Sequence, residues 1–220
     1  MAIADKKNQP SMQIDYSRQY KQGEVFRSQA FIVGMRTMTQ TQNDSSRIEG
    51  LRQGRMQCFS TCFAAWAVMQ EIVPKDGVRS LIDRVDGSLG NHGGGVFGYC
   101  DLAIEQLPME TIQREEIRTN TRKTSVSAEW NSMAEVERGQ REANLLLSGG
   151  ALILQNGNHY RLAFVDSSSR LVIFDPLSGS VTPLPADKLY DYAKPEAIGE
   201  TEAVIIELPR IDVDDDFVMH

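Results

Sequence analysis

A chain of 220 residues that is 41% hydrophobic and 24% charged is long enough for one domain with a substantial core. Its net charge of −7, with no basic stripe interleaved with aromatics, argues against nucleic acid or an anionic membrane as the main partner. No apolar run approaches the roughly 20 residues that span a bilayer, and three cysteines (Cys58, Cys62, Cys100) are too few for a disulfide scaffold and point to a reducing compartment with a free thiol.

In chain order, residues 1–50 are rich in Gln, Ser, Thr, Asn and Arg and read as a flexible N-terminal segment. Within them "AFIVGM" (Ala30 to Met35) is an edge strand or a docking segment. The N-terminus lacks the apolar core of a classical secretory signal. "CFSTCFAAWAVMQEIV", residues 58–73, is Ala-rich and apolar on nearly every side, so it is predicted to be a buried central helix stopped by "PKDG". "SLGNHGGGVFGYC" is a Gly-rich loop leading into a short helix around "DLAIEQL". Thr111 to Ser127 is polar and reads as a surface loop. An amphipathic helix runs from about Trp130 to Leu147 and ends at "SGG". Four apolar runs follow as strands, 151–155, 159–165, 170–175 and 203–208, and the acidic residues 211–220 form a tail. Helices first and an antiparallel sheet afterwards make an α+β fold.

The strands 159–165 and 170–175 form a hairpin around "DSSS". With its turn centred on Ser167, His159 faces Asp175, Arg161 faces Ile173 and Ala163 faces Leu171, all on one sheet face. Direct partners have Cβ atoms about 5 Å apart, close enough for the carboxylate to hold an imidazole N–H and fix its tautomer. A surface salt bridge at a sheet edge is the plain alternative. Pro176 ends the strand just after Asp175 and holds that side chain at the sheet margin, where sites tend to be built. The complement of such a pair is a thiol at a helix N-terminus, and the central helix offers Cys58 and Cys62.

A Cys at the head of a buried helix, a His opening a strand and an Asp-Pro closing the next resemble the papain-like cysteine peptidases. The closer resemblance is to their bacterial branch of effector and toxin proteases, glutamine deamidases and leader peptidases. "ALILQNGNHYRLAFVDSSSRLVIFDPLSG" is similar throughout to that branch's tail pattern, an apolar strand, a His, a second strand and Asp-Pro-x-x-Gly. The likeness covers roughly residues 50–80 and 145–180. It implies a papain-like fold, an N-terminal helical part with the Cys helix packed on a C-terminal antiparallel sheet carrying His and Asp, over residues 51–210. It also implies a Cys58–His159–Asp175 triad in a thiol-dependent amide hydrolase, an effector-type cysteine protease acting on a protein or peptide substrate. A glutamine deamidase with the same triad and a non-catalytic binding module are the alternatives. Cys62 is the alternative nucleophile, for which Ser60 or Thr61 would cap a helix starting there. The matching oxyanion donor is Gln53 for Cys58 and Gln57 for Cys62, each five residues upstream where the family commonly has six. By association, the resemblance and the polar N-terminus suggest non-classical (type III-like) export into a host cell, with a cytoplasmic location as the alternative; a monomer is expected.

Other signals are weaker. His92 in "NHGGG" lacks the spacing of a metal site, the "GGG" run lacks the lysine of a phosphate loop, and "DVDDD" (Asp212 to Asp216) lacks that of a calcium loop. No metal or cofactor is expected, and Cys100 and Trp66 read as core.

Overall fold

A computed structural model describes residues 43–90, 96–126, 132–193 and 203–211. "AFIVGM", His92, Trp130 and "DVDDD" lie outside them. The described chain is mixed α+β. Its helices are α1 (Cys58–Met69), α2 (Val78–Leu89), α3 (Val96–Glu105), α4 (Thr111–Asn120) and α5 (Ser132–Leu147). Six strands, β1 (Arg122–Val126), β2 (Ala151–Asn156), β3 (His159–Val165), β4 (Leu171–Asp175), β5 (Ser180–Pro183) and β6 (Ala203–Leu208), form one antiparallel sheet in the order β1-β6-β2-β3-β4-β5.

Both faces of this sheet are covered. Tyr160, Leu162, Phe164, Val172 and Phe174 turn toward α1 and the helices behind it, while Ala163, Val165, Leu171 and Ile173 turn toward α5 and a 3-10 segment, Ala186–Tyr192. Coverage on two sides explains why β2, β3 and β4 read as nearly continuous apolar runs rather than as alternation. All twelve residues of α1 are buried, since the helix lies between the sheet and α2. Phe59 anchors its start, packing edge-on against Tyr160 of β3 at 5.5 Å between ring centroids. α1 is shorter than the sequence suggests: it stops at Met69, and Glu71 turns left-handed at φ 60° while the Ile72 N–H returns to the Ala67 carbonyl.

Two expectations are corrected. Thr111 to Ser127 is not a surface loop but α4 followed by edge strand β1. Glu110 and Gln113 form a capping box that satisfies the first turn of α4, Ile117 is buried beneath it, and β1 pairs with β6 from Arg122↔Glu207 to Val126↔Ala203. The β3–β4 hairpin is slipped by two residues from the expected register, pairing Ala163 with Ile173 and Val165 with Leu171. The turn explains the slip. The Asp166 carboxylate accepts the backbone N–H groups of Ser168 and Arg170 and the Arg170 guanidinium, and Ser169 takes the left-handed conformation at φ 61°. A turn followed by a left-handed residue is the usual three-residue hairpin loop, centred here on Ser168 rather than Ser167.

The folded unit reaches back to Asn43. Its side-chain amide donates to the carbonyls of Gly149 and Val165, and Ile48 is fully buried. Gln70, just past α1, donates to Asn43 Oδ1 and the Gly149 carbonyl and accepts the Ile211 N–H.

Candidate active site

The start of β3, the end of β4 and the start of α1 converge at one margin of the sheet. β2 turns into β3 through Gly157–Asn158, with Gly157 at φ 57°, where a tight hairpin needs a residue tolerant of positive φ. The turn leaves His159 as the first residue of β3, its side chain 22% exposed. Asp175 ends β4, and Pro176 keeps the ladder from continuing through it. In the observed register Asp175 lies opposite Arg161, and His159 is its diagonal neighbour. The slip is by an even number of positions, so both side chains keep the same face.

The pair is formed. His159 Nε2 lies 3.0 Å from Asp175 Oδ1, and that oxygen also accepts the Leu177 N–H at 2.9 Å. Arg161 Nε donates to the other oxygen, Oδ2, at 2.9 Å. Burial pushes the Asp175 carboxyl up, but the bonds from His159, the Leu177 N–H and Arg161 outweigh it and hold the group below its ordinary value. With Nε2–H given to an ionised carboxylate, Nδ1 is the ring nitrogen left to take a proton.

Cys58 is the first residue of α1, with Gln57 as N-cap. Its Sγ points to the Asn158 carbonyl at 3.7 Å, the residue that precedes His159. The first N–H of the helical ladder is that of Thr61, bonded to the Gln57 carbonyl, so the Cys58, Phe59 and Ser60 N–H groups lie ahead of it at the positive end of the helix. Cys62 sits one turn deeper and is fully buried, and desolvation drives its thiol well above the ordinary value, with Cys58 and Asp175 adding to the rise. The helix does not start at Cys62: Ser60 and Thr61 are inside it, buried, their hydroxyls unpartnered rather than capping. Cys100 is buried in the core, which pushes its thiol up to about 12.

The two glutamines differ as sharply. Gln57 is committed to local structure, its amide nitrogen donating to Asp86 and its oxygen accepting the Gly54 N–H. Gln53 lies in the loop before α1, pinned against the Asp175 loop by its N–H to the Pro176 carbonyl at 2.8 Å. Its Oε1 is buried without a partner. The same loops are stitched by Gly50 N–H to the Gly179 carbonyl and by Arg52 to the Ser178 carbonyl.

Arg161 and Tyr192 are the additions that sequence reasoning did not assign to the site. The Arg161 guanidinium lies 5.2 Å over the Tyr192 ring while it grips Asp175. Its two-residue spacing from His159 on one strand was the available signal. Among the described residues no group of three His, Cys, Asp or Glu is arranged to hold a metal, and no helix is long and apolar enough to cross a membrane. Comparison with protein-family models, with curated proteins and with solved structures finds no match.

Proposed function

We propose that this chain is a papain-like, thiol-dependent amide hydrolase, a cysteine protease acting on a protein or peptide substrate. The observation that carries the reading is the convergence at one sheet margin of the Cys58 thiol, aimed at the Asn158 carbonyl, with a His159 whose Nε2 is held 3.0 Å from Asp175. In this mechanism His159 Nδ1 takes the Cys58 proton and the thiolate attacks the amide carbon. The oxyanion is met by Gln53 and by the Cys58 N–H at the helix start. His159 then protonates the leaving amine, and water, activated by the same imidazole, frees the acid from the thioester. Asp175 orients the ring throughout. Met56 and Leu177, 80% and 67% exposed, stand two positions from Cys58 and Asp175 and favour a substrate with apolar side chains beside the cut.

The test is alkylation by iodoacetamide at pH 6 with peptide mapping. Cys58 is expected to label quickly, and His159→Ala to remove that reactivity. Uniformly slow labelling of all three cysteines would sink the reading. Intact-mass measurement of proteins incubated with the chain then separates outcomes: a broken chain means proteolysis, and a gain of about one dalton would make the same triad a glutamine deamidase.

A further inference from the structure

We infer that Arg161 is a positioning residue for the proposed Cys58–His159–Asp175 site, locking the plane of the Asp175 carboxylate so that Oδ1 faces the imidazole. The inference rests on the hydrolase reading and goes beyond it, because a triad by itself requires no second cation on its carboxylate.

A lone carboxylate at the end of a strand can rotate about its last torsion and offer either oxygen to the ring. Here the three donors divide the two oxygens between them. Oδ1 takes His159 Nε2 and the Leu177 N–H, and Oδ2 takes Arg161 Nε. Twisting the carboxylate out of this plane would therefore break a charge-assisted bond, while a half turn only exchanges two equivalent oxygens. Arg161 is itself held on the far side. Its guanidinium lies over the Tyr192 ring at 5.2 Å. The 3-10 segment carrying Tyr192 is anchored by Tyr190 O–H to Glu142 at 2.6 Å and by Asn156 Nδ2 to the Asp191 carbonyl at 3.3 Å. A continuous line of support thus runs from the α5 layer through Tyr192 and Arg161 to Asp175 and His159. Neighbouring groups that enter the same balance are His159 and Arg161 from β3, the Leu177 N–H from the loop, and Cys62 from α1.

The experiment combines carbon NMR titration of the Asp175 carboxyl, assigned by its loss in Asp175→Asn, with the pH profile of Cys58 alkylation. In Arg161→Met the Asp175 titration should move to higher pH and the rate at pH 6 should fall about tenfold, the size expected for losing a hydrogen bond to a charged group. Arg161→Lys should keep the titration near its original place yet recover the rate only in part, because an ammonium supplies charge without the planar fork. Tyr192→Leu leaves every charge of the site in place, carries the test should the Met variant not fold, and should slow alkylation about two- to fivefold. An Asp175 titration unchanged in Arg161→Met, or an unchanged rate in Tyr192→Leu, overturns the inference. If Cys58 of the unaltered protein proves unreactive, the hydrolase reading falls instead, while the titration still reports whether Arg161 governs Asp175.

Discussion

Glu142 offers a quantitative test of the layer that supports the site. Its side chain is fully buried on α5, accepting the Tyr190 O–H at 2.6 Å on one oxygen with Arg138 Nε 3.3 Å from the other. Burial pushes its carboxyl from the ordinary 4.5 up to about 7, with the Tyr190 bond and Arg138 opposing the rise and Glu207 adding to it. Well below pH 4.5 the acid is protonated in both folded and unfolded chains and has no effect on the pH dependence. As pH rises from there toward 7 the unfolded chain loses its proton first, so the folded state binds more protons and stability falls. The accumulated cost is about 1 kcal/mol at pH 5 and about 3 kcal/mol at pH 8. Glu142→Gln is nearly isosteric and keeps an acceptor for Tyr190, yet cannot ionise. Relative to the unaltered protein it should therefore gain about 2 kcal/mol between those pH values, roughly 4–8 °C in Tm. Urea unfolding followed by tryptophan fluorescence is a suitable assay, since Trp66 is fully buried and bonded to the Pro209 carbonyl. A stability gap that is the same at pH 5 and pH 8 would refute the reasoning and make Glu142 an ionised partner of Arg138 in the folded chain.

Cys62→Ser puts a hydroxyl where the structure offers no exposed surface, beside Ser60 and Thr61 hydroxyls that already lack partners, and should cost about 1–3 kcal/mol in urea unfolding. Alkylation of Cys58 should be unaffected; loss of labelling in the refolded variant would shift the nucleophile to Cys62. Gly179→Ala meets both a left-handed φ of 70° and a new Cβ about 3 Å from the Gly50 and Leu51 backbone. It should lower stability by about 1–3 kcal/mol and open residues 50–53 to limited proteolysis, whereas an unchanged Tm would mean that the loop gives way freely.

The parts of the molecule legible in sequence are those whose physics is local. β2, β3, β4 and β6 stand out because burial on both faces demands apolar residues at most positions, and α1 because alanines and aromatics leave it no polar side. α4 was hidden: its ten residues bury only Ile117, and it rests on an end cap and on ion pairs of Arg118 with Glu105 and Glu115. β5 was hidden too, a short half-polar edge strand ending in proline. The His159–Asp175 pairing survived a wrong register because the error was of even parity. What could not be read was which of the two cysteines opens the helix. Gln57 caps it with its backbone rather than with a recognisable side chain. Arg161 escaped notice for a related reason, since in the expected register it faced Ile173 and not Asp175.

The amide of Gln70 holds Asn43 with its nitrogen and Ile211 with its oxygen, so the chain enters and leaves the described domain at one side chain. That point lies at the end of α1 opposite Cys58, about 18 Å along a twelve-residue helix. Tension applied through both ends of the chain would load this clasp first. The margin that carries Cys58 and the His159–Asp175 pair stands a helix length away from that load.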